Sequence, residues 1–115
     1  MQYMLLIHAD ETAFAAMPKA QAEAGLAAYG AYTKAMNDAG VLKGGDRLRP
    51  TAMTTTVTAK GGKAVVVDGP FAETKEQLGG YYLIEAKDLD EAISWASRCP
   101  GVHHGAVEIR PIWAA

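Results

Sequence analysis

The chain has 115 residues, half of them apolar and 21% charged, which is the size of one domain with enough hydrophobic surface for a core. Eleven basic residues against 13 acidic ones give a formal net charge of -2, too little positive charge for the phosphate-binding surface on which nucleic-acid affinity mostly rests. One cysteine, Cys99, excludes an internal disulfide, and the composition excludes a disordered chain.

Met1 to Ile7 is apolar, has no basic residue before it and breaks at His8-Ala9-Asp10-Glu11. That run is too short for a signal core and far short of a span of about 20 residues, so a soluble, cytoplasmic protein with no membrane partner is the expectation. Gln2 to Ala9 reads as a strand, with Tyr3, Leu5 and Ile7 on one face and Met4, Leu6 and His8 on the other. Asp10 and Glu11 read as the polar turn that ends it.

Pro18 to Ala39 predicts a long helix, rich in Ala, Gln, Glu, Lys and Met, with Pro18 suited to its first turn and Gly40 to its C-terminal cap. Leu26, Tyr29, Thr33 and Met36 form its expected inward stripe. Val41 to Leu48 reads as a strand bent or bulged at Gly44-Gly45. Met53 to Ala59 and Lys63 to Val67 predict a hairpin turned at Lys60-Gly61-Gly62. Gly80 to Glu85 is the next strand.

A second helix is expected to be capped by Asp88, with Glu91 in capping-box position, and to face inward through Leu89, Ala92, Ile93 and Ala96 until Pro100-Gly101 stops it. Ala106 to Trp113 predicts the last strand, with Val107, Ile109 and Trp113 on one side. This order is an α+β, ferredoxin-like βαββαβ plan with an extra β-hairpin in the middle, expected as a single domain over 1–115. Both helices of such a plan cover one sheet face, yet the strands are apolar on both faces, which predicts a homodimer packed sheet against sheet.

Few residues offer chemistry. His8 and Asp10 stand close together at a strand end, where an imidazole near a carboxylate could move a proton and Asp10 could contact a substrate. A hydrogen-bonded, partly wet strand-end histidine is the plainer alternative. Asp68 ends a Val-rich strand before a Gly-Pro turn, either at the rim of a pocket or as an Asx-turn residue. Tyr29 and Tyr32 share a helix face, and either core packing or one hydroxyl in a pocket accounts for them. The adjacent His103-His104, one cysteine and no His-x-x-x-His helix predict no metal site, and no glycine-rich phosphate motif predicts a nucleotide cofactor.

The run Asp68-Gly69-Pro70-Phe71, with Ala72 to Glu76 after it and Leu78-Gly79-Gly80-Tyr81-Tyr82 beyond, resembles the signature of the DGPF-type branch of the YCII-related proteins. Met1 to Ile7, Ala39-Gly40-Val41-Leu42 and Val107 to Ile112 are similar to the same branch, so the resemblance spans nearly the whole chain. It implies a dimeric α+β barrel and a small-molecule enzyme of lyase or hydrolase type, in which a histidine and an aspartate face each other between sheet and helix. One relative removes chloride from a hydroxyquinone. It equally implies a non-catalytic module associated with an extracytoplasmic-function sigma factor.

The family's helix histidine has its place taken by Tyr29, a much weaker base than an imidazole at neutral pH, with His8 as the expected replacement from the neighbouring strand. His8, Asp68 and Tyr29 are thus the expected catalytic set, with Asp10 and Phe71 at the substrate. Phe71 has a second reading as a brace for the turn and the subunit contact.

Overall fold

The computed structural model describes residues 1–114. Strand β1 (Gln2–Ala9) is followed by a short helix α1 (Glu11–Ala15), the long helix α2 (Lys19–Asp38) and strand β2 (Leu42–Arg47). A 3-10 turn over Thr51–Met53 leads into the hairpin β3 (Thr55–Lys60) and β4 (Lys63–Asp68). Then come β5 (Gln77–Glu85), α3 (Leu89–Ser97), a 3-10 turn over Pro100–His103, and β6 (Gly105–Pro111). The four-stranded sheet runs β2-β5-β1-β6 with antiparallel pairing throughout, and the hairpin forms a separate two-stranded sheet. Removing the hairpin leaves the ferredoxin-like strand order expected from the sequence.

Residues paired across the ladder share a face. Leu5 lies opposite Tyr82 on β5 and Ile109 on β6, and Tyr3 lies opposite Ile84, so these side chains face the helices together. There they meet Tyr32 and Met36 of α2 and Ala92 and Ala96 of α3, all buried. Tyr32 holds the layers in register by two contacts: its ring meets that of Tyr82 edge-on at 5.5 Å, and its hydroxyl donates to the carbonyl of Trp95 at 2.7 Å. The opposite sheet face carries Met4, Leu6, Tyr81 and Leu83, all half-buried. Among the described residues, no helix is long and apolar enough to cross a membrane.

Asp88 caps α3 as its sequence position requires, accepting from the Glu91 amide at 2.9 Å. Asp88→Ala is expected to cost about 1 kcal/mol, read as a lower urea midpoint with an unchanged slope.

Several expectations shift. Leu26, Leu89 and Ile93 are exposed rather than inward, because α2 buries only Tyr32 and Met36 and α3 only Ala92 and Ala96. α3 ends at Ser97, and the chain turns again in 3-10 form from Pro100. The last strand stops at Pro111, which leaves Trp113 outside it and 96% exposed. The irregularity in β2 falls between Leu42 and Gly44, one residue before the paired glycines. Glu11, read as part of a turn, instead opens a short helix to Ala15 because Asp10 caps it, accepting from the Thr12 amide and hydroxyl at 2.9 and 2.6 Å.

The hairpin turns tightly at Gly61 and Gly62, whose φ angles of 57° and 80° suit a two-residue turn. It extends from the body as an arm, with Val57, Val66 and Val67 exposed. The arm closes at its base by Gly69, whose amide donates to the Thr54 carbonyl at 2.8 Å and whose carbonyl accepts from Thr56 Oγ1 at 2.6 Å. Gly69 has φ of 111°, a backbone conformation unfavourable to residues with a side chain.

Candidate functional site

The chain reverses twice between α3 and β6, at Cys99 and across Pro100–His103, because Pro100 fixes a first-turn φ and Gly101 has no side chain. This turn lies beneath the middle of α2. A Cβ on Gly101 would come within 2.7 Å of the Tyr29 hydroxyl and 3.0 Å of Ile7 Cγ2, so the absence of one lets the phenol settle against the turn. Gly101→Ala is therefore expected to cost about 1–3 kcal/mol through overpacking, visible as a lower melting temperature.

Between α1, α2 and this turn lies a cleft of about 290 Å³. Phe14, Met17, Ala24 and Ala28 give it apolar walls, and Gln21, Tyr29, His103 and His104 supply polar groups. Few polar groups in an apolar concavity is the usual composition of a small-molecule site. The other flank of α2 bounds a second depression of about 440 Å³, where Tyr32, Arg98 and His103 meet Ala28, Ala31 and Ala35. The first is the stronger candidate because a phenol and two imidazoles converge on it.

Burial, and next the neighbouring Cys99, push the Tyr29 phenol well above its ordinary value, so it stays protonated. The Cys99 thiol, itself fully buried and pushed up by burial, points to the phenol oxygen at 4.0 Å, leaving the phenol's own hydrogen free to donate. Tyr29 is thus a fixed, neutral hydrogen-bond donor in the wall of the cleft. His103 and His104 place two imidazoles, groups able to give or take a proton, on the same cleft.

The expected site residues separate in space. Tyr29 lines the cleft. His8 does not join it: β1 pairs with β6 so that His8 shares the outer sheet face with Glu108, and its Nε2 lies 2.5 Å from Glu108 Oε1. Tyr29 packs near Ile7, whose side chain points to the opposite face, so the strand alternation that exposes His8 to Glu108 removes it from the phenol. The idea that His8 replaces the helix histidine is thereby overturned.

Asp10 is engaged as the α1 cap, and the Thr12 hydroxyl bond, with the Thr12 amide next, holds its carboxyl below the usual range. Asp68 ends β4 on the arm, exposed, and among the described residues its carboxylate has no hydrogen-bond partner. Phe71 is 84% exposed beyond the arm. Neither lines the cleft.

His103 and His104 entered the sequence reading only as poor metal ligands, and among the described residues no group of three or more His, Cys, Asp or Glu stands together to hold a metal ion. The signal that could have raised them is Pro100-Gly101 ahead of them: a proline and a glycine force a turn, and that turn carries the histidines back under α2.

The YCII-related domain model matches residues 1–115. An uncharacterised protein of Rhizobium meliloti (strain 1021) is 38% identical over 114 residues, covering 97% of this chain and 92% of the relative. Among solved structures, 5-chloro-2-hydroxyhydroquinone dehydrochlorinase (TftG) from Burkholderia phenoliruptrix AC1100, in complex with 2,5-dihydroxybenzoquinone, superposes with a TM-score of 0.58 at 15% identity. That superposition covers 100% of this chain and 96% of the other, and at such identity it speaks for the fold. A signature around Asp68-Gly69-Pro70-Phe71, a family match along the full length and a ferredoxin-like sheet with an inserted hairpin agree: the chain belongs to the YCII-related family.

Proposed function

We propose that the chain is an acid-base enzyme acting on a small, planar, hydroxylated organic molecule held in the cleft between α1, α2 and the Pro100–His103 turn. The observation that carries this reading is the convergence of Tyr29, His103 and His104 on one apolar concavity. In it, Phe14, Met17, Ala24 and Ala28 bury the faces of a flat ring, and the neutral Tyr29 phenol donates to a ring oxygen. One of the two imidazoles takes or returns a proton, the role the family resemblance gives to a helix histidine. The ligand of the dehydrochlorinase, 2,5-dihydroxybenzoquinone, has the flatness and the oxygen pattern such a cleft would accept, which makes hydroxyquinones the first class to test.

The test is a thermal-shift titration of 2,5-dihydroxybenzoquinone and related dihydroxybenzenes against wild type, Tyr29→Phe, His103→Ala and His104→Ala. A ligand that binds the folded state alone raises the melting temperature with its concentration. The expected result is a shift in wild type that weakens in Tyr29→Phe and in at least one histidine variant. No shift with any member of the set, or equal shifts in all four proteins, would overturn the reading. The regulatory alternative predicts the reverse pattern: no ring bound, and an extracytoplasmic-function sigma factor retained by the immobilised protein.

A further inference from the structure

Arg98 is the C-terminal cap of α3, and its charge has no counterion in the described residues. Both lysines of α2, by contrast, are paired, Lys19 with Glu23 at 3.9 Å and Lys34 with Asp38 at 2.6 Å. The guanidinium carbon of Arg98 lies 4.5 Å from the centroid of the Trp95 ring, over its face. Stacking of this kind engages the face of the planar group and leaves its N–H donors, which lie in the plane, free for another partner.

Arg98 borders the depression of about 440 Å³ on the flank of α2, together with Tyr32 and His103. The Tyr32 hydroxyl is spent as a donor on the Trp95 carbonyl, which leaves Arg98 and His103 as the side-chain donors there. No acidic side chain lines this depression or the neighbouring cleft, in a chain whose 13 acids outnumber its 11 bases. An unpaired cation beside a concavity free of acids favours an anion. A planar, two-pronged anion suits it best, because the paired N–H groups of a guanidinium match the two oxygens of a carboxylate. The two spaces adjoin: Ala28, Pro100 and His103 border both. A group leaving the cleft past Ala28 therefore enters the Arg98 depression.

We propose that the ring held in the cleft carries a carboxylate, on the ring itself or one methylene removed, and that Arg98 with His103 forms the subsite that takes it. The substrate class is then a hydroxylated aromatic acid, an assignment that rests on the reading of the cleft given under Proposed function. Tyr29 and the apolar walls hold the ring, while Arg98 sets which end of the molecule points toward α3. Arg98 is exposed, so water and salt compete for the ion pair, and its contribution to affinity is about threefold to tenfold.

Titration calorimetry with 2,5-dihydroxybenzoate and 2,5-dihydroxyphenylacetate, each beside its uncharged methyl ester, tests it. Wild type is expected to bind at least one acid about threefold to tenfold more tightly than its ester, with the ratio falling as salt is raised from about 0.05 to 0.5 M. In Arg98→Gln the ratio is expected to drop to about one through weaker binding of the acid. In Arg98→Lys, which keeps the charge and loses the planar fork, it is expected to be intermediate. A ratio near one in wild type, or an unchanged ratio in either variant, overturns the carboxylate subsite. If the esters bind and weaken in Tyr29→Phe while the acids gain nothing, the subsite fails and the cleft reading stands. If neither acids nor esters bind, both fail.

Discussion

Leu5→Ala is expected to lower the unfolding free energy by about 2 to 5 kcal/mol, a large part of the 5–15 kcal/mol that holds a typical domain together. Leu5 is fully buried in β1, a central strand flanked by β5 and β6, and lies between Tyr82 and Ile109. The space left by its isobutyl group cannot refill cheaply. The flanking side chains are fixed by backbone ladders on both sides, and Tyr82 is further tied by its hydroxyl to Thr33 Oγ1 at 2.8 Å. Urea unfolding followed by the fluorescence of Trp95, which packs against the core, measures the effect. A loss below about 1 kcal/mol would mean that the core collapses around the site.

Raising the pH above about 9 is expected to destabilise the protein steeply. Burial, and after it the nearby Cys99, push the phenols of Tyr29 and Tyr32 upward, and burial does the same to the Cys99 thiol. Groups whose folded values are raised contribute fully below their unfolded values, near 8.5 for a thiol and 10 for a phenol, and that contribution is lost as pH rises toward the folded values. Over this window the unfolded chain releases protons that the folded chain retains, so each group adds a slope approaching about 1.4 kcal/mol per pH unit. Melting temperatures measured from pH 7 to 11 should be flat at first and then fall. Tyr32→Phe lowers the starting stability by removing the bond to the Trp95 carbonyl, yet should fall less steeply, since one titrating group is gone. Equal slopes in the two proteins would contradict this account.

The fold was largely legible because its signals are local. The apolar run Gln2 to Ala9, the paired glycines after Lys60 and the Asp88 cap each act within a few residues, and each marks an element boundary to within one residue. The ends of α3 and β6 were not legible, because they depend on how Cys99 to Gly101 and Pro111 pack against distant parts of the chain. The candidate site was legible only at Tyr29. Sequence proximity joined His8 to Asp10, but strand alternation turns His8 to the outer face, and a helix start claims Asp10. His103 and His104 are more than 70 residues from Tyr29 along the chain, and a turn built on one missing Cβ brings them to the same cleft.

Ala28 lies on the ridge of α2 between the two depressions and lines both. Its methyl group thus sets the width of each at once, and the residue is exposed, so its identity bears little on folding. Position 28 is therefore a place where ligand size can drift among helix-forming residues at little cost in stability. A relative with leucine there would keep this fold and this turn while narrowing both depressions, and one with glycine would widen both at a cost of about 1 kcal/mol in helix stability.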